Sequence, residues 1–183
     1  MLYKATSFPY EWKPVSILLD RFDACDATIF RFGSLWWLFC TSESFDPNLQ
    51  LFAFYAHELQ GPWKPHRLNP IKTDITSARP AGTPFLSGGE LYRPAQDSSL
   101  TYGGAVRLNR ILRLTPSEFE EVAVKTIHAD HFAPYTAGTH TFSYAGSTCV
   151  IDAKKRRISF KALPRLLARV WRRPYDPVFA HGS

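Results

Sequence analysis

Apolar and polar positions change over in short runs along this chain, and the runs pair off across Gly-containing breaks. Residues 27–41, ATIFRFGSLWWLFCT, read as strand, tight turn and strand, with Gly33-Ser34 as a two-residue hairpin loop. Residues 49–59, LQLFAFYAHEL, alternate in part and are rich in aromatics, a third strand. GPW at 61–63 turns the chain, and WKPHRLNPI returns as an irregular edge strand. Pro65 and Pro70 are tolerable there because an edge need not donate every N–H. The pattern then recurs. RPAGTPFL (79–86) and ELYRPAQD (90–97) flank an SGG turn, YGGAVRLNRILRL (102–114) is a third strand and EEVAVKTI (120–127) a fourth. A third copy starts with GTHTFSYAG (138–146) and TCVIDA (148–153). Ahead of the first copy, WKPVSILL (12–19) reads as an outer strand without partners.

Hairpins that return every 50–60 residues or so match the period of propeller blades built from four-stranded sheets. A β-sandwich of hairpins is the competing architecture, and the repeated order of hairpin, long aromatic strand and edge strand favours blades. Two full blades and parts of two others cannot close a ring. The expected fold is therefore all-β, an incomplete propeller of about three blades over residues 1–153, followed by a basic tail over 154–183. In that tail Leu163, Leu166, Leu167, Val170 and Trp171 fall on one helical face and Arg165, Arg169, Arg172 and Arg173 on the rest. A basic amphipathic helix of this kind suits an anionic membrane surface, contacted through residues 154–173; packing across the open side of the sheets is the alternative.

Charge changes the picture of partners. The 183 residues carry a net +6, but residues 1–153 hold 13 basic and 15 acidic side chains while residues 154–183 hold 9 basic and 1 acidic. The body is slightly acidic, so nucleic acid is not an expected partner. Three dispersed cysteines, Cys25, Cys40 and Cys149, give neither a disulfide framework nor a metal-ligand spacing. No cofactor or metal is expected. The start MLYKATSFPYEW lacks an apolar signal core, which together with the cysteines points to a cytoplasmic setting, peripheral at the inner membrane face if the tail binds lipid.

In a propeller the innermost strands deliver their first residues to one mouth. Those strands begin near Asp26, Arg79 and His140, and their hairpin partners end near Glu43 and Gln96-Asp97. Carboxylates, a guanidinium, an amide and an imidazole together suit a polyhydroxylated ligand, because each sugar hydroxyl both donates and accepts. Trp36, Trp37, Tyr92 and Tyr102 are candidate faces for a sugar ring. Arg79 and Arg93 each precede a proline, which keeps their backbones extended, and a guanidinium fork suits phosphate or carboxylate. Each of these residues also has a structural use: a turn cap for Asp26, a salt bridge for Arg79, a loop-closing pair for Gln96-Asp97. Gly82 allows a close backbone approach. His66 and Asp74 are expected as surface or loop residues in the edge-strand connection.

The run GPWKPHRLNPIKTDITSARPAG, then ELYRPAQD, YGGAV and GTHTFSYAG, resembles the five-bladed β-propeller domain at the N-terminal side of glucosamine inositolphosphorylceramide transferases. Similar domains occur in bacterial proteins, some beside a formyltransferase-like domain, and a bacterial source is expected on that ground. The resemblance covers roughly residues 7–152. It implies a carbohydrate-recognising domain acting in glycan or glycolipid biosynthesis, with transfer itself done by a separate catalytic domain or chain. The propeller is similar in turn to furanosidase folds, which place two carboxylates across a central pocket. That likeness implies an alternative, a furanosidase-type hydrolase in which Asp26 matches the early channel Asp, while the second carboxylate of the pair, Asp97 or else Glu43, is chosen by position alone. In the carbohydrate-recognising reading Asp26, Arg79, Arg93, Gln96, Asp97 and His140 would line the site, and Arg79, Arg93, Gln96, His140 and Glu43 are the expected substrate-binding residues. A non-catalytic structural or interaction module is the third reading.

Overall fold

A computed structural model of the chain describes residues 1–156. The helix expected from Leu163, and the membrane contact tied to it, lie outside the described residues. Within them the structure is all-β, with one 3-10 turn at Ala129–Phe132 as the only helical element.

Strands β1 (Leu2–Ser7) and β2 (Glu11–Ser16) form a hairpin. The outer strand expected at 12–19 thus has a partner in the chain, because Pro9-Tyr10 turns it back on the residues before it. Strands β3 (Ala24–Phe32), β4 (Leu35–Ser42) and β5 (Gln50–Ala56) follow as an antiparallel meander, joined at the expected Gly33-Ser34 turn. Gly33 has φ +62°, the left-handed region that glycine enters without strain.

The edge beside β5 is broken into β6 (Lys64–Pro65) and β7 (Lys72–Thr73), which pair with opposite ends of it. Prolines 65 and 70 stop a continuous ladder, and the Asn69 side chain fills the gap. Its Oδ1 accepts from Ala53 N at 2.8 Å and its Nδ2 donates to Ala53 O at 2.7 Å, one rung made by an amide side chain. His66 lies in the loop after β6, one of the two placements expected for it, but is 2% exposed and so is not on the surface. Its Nδ1 accepts from Leu68 N at 3.1 Å, which closes the loop inward. Asp74 does sit in a loop, and there it accepts bonds from Thr76 and Ser77.

The second sheet has the order β11-β10-β9-β8, with β8 Phe85–Ser87, β9 Glu90–Asp97, β10 Ala105–Thr115 and β11 Glu118–His128. The strand expected over 79–86 is regular only at its end. Pro80 and Pro84 remove donors, so residues 79–81 meet β9 through single bonds, Gln96 N to Arg79 O at 2.8 Å and Ala81 N to Pro94 O at 3.1 Å. A last hairpin, β12 (Phe142–Ala145) and β13 (Thr148–Ile151), completes the described chain.

Apolar faces set how these sheets meet. β4 alternates two buried faces. Trp37 and Phe39 join Leu91, Ile111 and Leu114 of the second sheet in one cluster. Leu38 and Cys40, on the other face, are covered by Leu18, Leu19 and Phe22 from the β2–β3 connection. The far face of the second sheet places Val106 and Ile127 against Phe142 and Ile151 of the last hairpin. Gly82 makes that approach possible. A Cβ there would overlap the Phe142 carbonyl oxygen, and Phe142 N donates to Ala81 O at 2.8 Å beside it.

Candidate functional site

The site begins with an irregularity in β3. Its register against β4 shifts between Cys25 and Thr28, and Asp26 sits in the bulge with φ +48°. Asp tolerates the left-handed region better than most residues, and a bulge re-aims a side chain that a regular strand would hold in line. Asp26 Oδ2 accepts from Arg79 Nε at 2.6 Å and from Gln96 Nε2 at 3.1 Å. Residues 26, 79 and 96, from the first sheet, the segment ahead of β8 and the end of β9, therefore share one oxygen atom.

Arg79 is committed on several sides. Its Nη1 donates to Asn48 Oδ1 at 3.1 Å, and its guanidinium lies 5.1 Å from the centre of the Tyr102 ring. The ring meets Lys154 Nζ at 5.7 Å, and the same ammonium donates to Tyr102 O at 2.8 Å. His140 stands edge-on to Tyr102, centroids 5.7 Å apart. Lys154 belongs with the sheets rather than with the tail, since its N–H and C=O bond Gly138 and Ala137.

His140 in turn is held by Asp152, just beyond β13. Asp152 Oδ2 meets His140 Nδ1 at 2.5 Å. Its Oδ1 accepts from His140 N at 2.9 Å, Thr141 N at 2.6 Å and Thr141 Oγ1 at 2.8 Å. Partial burial works to raise the Asp152 carboxyl, but the backbone N–H groups of His140 and Thr141 and the other donors outweigh it and hold it at about 2.

Asp26, Thr28, Gln96, Tyr102, His140 and Thr141 line one open cleft of about 260 Å³. Of the residues expected to act together, Asp26, Gln96 and His140 line it and Arg79 is bound to its wall. Three others are elsewhere. Arg93 is 1% exposed and fully used within the core: Nε and Nη2 reach Glu121 at 2.8 and 2.6 Å, and Nη2 also donates to Ser77 O at 2.6 Å. Asp97 lines a separate cleft of about 310 Å³ and is paired with Arg107 at 3.1 Å and with Ser99. Glu43 is outside the lining as well and accepts from Cys25 Sγ at 2.8 Å, which pushes that thiol up to about 11. A hydrolytic pair needs two carboxylates across one cleft, and Asp26 and Asp97 do not share one.

Thr28, Asn48, Asp152 and Lys154 take part without having been singled out in the sequence. Asp152 had a signal. The turn at Gly146 pairs Phe142 with Ile151, so the next position outward sets Asp152 against Thr141, beside His140.

A family model described as "Glucosamine inositolphosphorylceramide transferase 1, N-terminal" matches residues 1–139. The curated protein named glucosamine inositolphosphorylceramide transferase 1 from Oryza sativa subsp. japonica is 41% identical over 128 residues, 67% of this chain and 17% of the relative. The protein of the same name from Arabidopsis thaliana is 36% identical over the same length and shares. This chain thus corresponds to about 17% of the length of these relatives. Both are plant proteins, which lends the expected bacterial source no support. No solved structure matches.

Proposed function

The chain belongs to the family defined by the N-terminal region of glucosamine inositolphosphorylceramide transferase 1, and from that premise we propose that it is a carbohydrate-recognising part of a β-propeller, acting in glycolipid biosynthesis beside a separate catalytic domain or chain. The observation that carries this reading is the convergence at the cleft. The first sheet supplies Asp26 and Thr28, the second Gln96, and the segments flanking the last hairpin His140 and Asp152. The β3–β5 sheet, the β8–β11 sheet and the last hairpin meet through apolar clusters and deliver polar groups to one place, as propeller blades do around a channel mouth.

The cleft's chemistry suits binding more than bond cleavage. Its one carboxylate from β3 is neutralised by Arg79, Tyr102 offers a half-exposed ring, and amide, imidazole and hydroxyl groups surround it. The names of the relatives point to a ligand with glucosamine, inositol phosphate and ceramide parts, of which the headgroup is what such a cleft would take. The test is isothermal titration of the full chain with a water-soluble glucosaminyl inositol phosphate. Saturable binding is expected, weakened about tenfold by Tyr102→Ala. No heat at millimolar headgroup, or unaltered affinity in Y102A, would remove the cleft from this role.

A further inference from the structure

The Gln96 amide is 3% exposed, and its neighbours fix its orientation. Nε2 faces two acceptors, Asp26 Oδ2 at 3.1 Å and Pro80 O at 3.0 Å, so the nitrogen must stand on that side. Oε1 is left buried with no hydrogen-bond partner among the described residues. Thr28 Oγ1, on the same cleft, is buried and unpaired in the same way.

His140 offers the same cleft an acceptor of another kind, on a side chain that is 31% exposed. Asp152 accepts along both oxygens and offers nothing to donate, so the ring nitrogen facing it, Nδ1, carries the proton. In the neutral imidazole the other nitrogen, Nε2, is then a lone-pair acceptor, and it has no hydrogen-bond partner among the described residues. Buried acceptors without partners are costly and uncommon. Gln96 Oε1 and Thr28 Oγ1 are sealed from the cleft, so the acceptor that an occupant can serve is His140 Nε2.

We infer that the cleft takes an uncharged, hydroxyl-bearing ring, a sugar or a cyclitol, one of whose hydroxyls donates to His140 Nε2, with Asp152 as the residue that positions His140. This rests on the carbohydrate reading above and narrows it to the part of the headgroup that enters. A phosphodiester group has only acceptors to offer to such a wall, and two of the Arg79 donors that would hold it, Nε and Nη1, are taken by Asp26 and Asn48. An ammonium group would meet the positive charges of Arg79 and Lys154, both close to the Tyr102 ring. A neutral ring meets neither obstacle, and Tyr102 gives its apolar face a surface.

The experiment is NMR on the full chain labelled with nitrogen-15. Long-range spectra of the imidazole report which nitrogen of His140 carries the proton, and the Gln96 side-chain amide reports occupancy. The Nδ1–H form is expected in the parent protein, with a mixture of forms in Asp152→Ala. Titration with myo-inositol or N-acetylglucosamine should shift both Gln96 and His140, with affinity about tenfold weaker in His140→Phe, while inorganic phosphate leaves both signals in place. The inference is overturned by an Nε2–H form in the parent, by phosphate moving these signals, or by both neutral rings leaving them unmoved. Tautomer and probe selectivity are read on the parent chain, so a poorly folded variant does not blunt the test. If the intact headgroup binds and neither ring probe touches Gln96 or His140, the carbohydrate reading stands and this inference falls; if the headgroup also fails, both fall.

Discussion

Arg93 and Glu121 show what a buried charge does here. Arg93 is 1% exposed and the Glu121 side chain 3%, with Lys72 Nζ adding a third charge at 2.6 Å. Burial works to raise the Glu121 carboxyl, and the charges of Arg93 and Lys72 overcome it and leave it lowered. Removing one partner strands the other, at a cost of about 3–5 kcal/mol. Arg93→Met should therefore lower the urea midpoint strongly, and Arg93→Lys should restore little of it, because an ammonium cannot reproduce the fork that also bonds Ser77. Acid should act on the same scale. Asp74 and Asp152 are held at about 2 against an ordinary 3.8. A lowered folded pKa means that the stability is complete above about pH 4 and drains as pH falls towards 2. After solvent screening each contributes on the order of 1–2 kcal/mol. Urea midpoints followed by circular dichroism from pH 6 to 2 should drop in that window, and Asp152→Asn should start lower and drop less. Sequence could not separate Arg79 from Arg93. Both stand before proline in similar runs, and only what each meets in the fold, Glu121 of β11 in one case and the Asp26 bulge of β3 in the other, sets one in the core and one at the cleft.

Glycines carry the contrast between elements. Gly33 turns β3 into β4 with open space around it, so Gly33→Ala meets only the strain of its positive φ, about 1 kcal/mol. Gly82 has an ordinary backbone, yet a Cβ there collides with the Phe142 carbonyl, which is backbone and cannot step aside. Gly82→Ala should push the last hairpin away from the second sheet at a cost of about 1–3 kcal/mol. Amide exchange should show it locally. Phe142 N–H, bonded to Ala81 O, is expected to lose protection in Gly82→Ala and keep it in Gly33→Ala; equal loss in both would mean that the contact is not what holds the hairpin. Elements that turn on local chemistry were readable in advance. The Gly33-Ser34 loop, the 90–97 strand and the long 105–128 hairpin follow from turn residues and alternation. The segment before β8 was not, because Pro80 and Pro84 break its ladder while single bonds to β9 keep it in place. The edge at 64–73 was half readable: prolines announced the break, but nothing local announced that Asn69 would bridge it.

At the scale of the molecule the order of the sheets was legible and their meeting point was not. Recurrence at a fixed spacing gave the succession of sheets, since it depends only on where strands and turns fall. The cleft depends on one bulge, which carries Asp26 across to Gln96, 70 residues along the chain, and bulges leave a faint trace in alternation. Beside the Lys72–Glu121 pair and the bonds at Asp26, an apolar cluster joins the first sheet to the second, and Phe39 is its centre. It is fully buried, edge-on to Phe30 at 5.1 Å within its own sheet and to Phe119 at 6.0 Å in the next. Phe39→Ala leaves a cavity with rigid walls on both sides and should cost about 3–5 kcal/mol. The form of the loss is the sharper prediction. If the two sheets stand as one cooperative unit, Phe39→Ala lowers the protection of amides in β10 and β11 by the same factor as those in β4 and β5. Protection lost in β4 and β5 alone would make each sheet its own folding unit, and the cleft, which needs residues from both, would then be held only by the bonds that meet at Asp26.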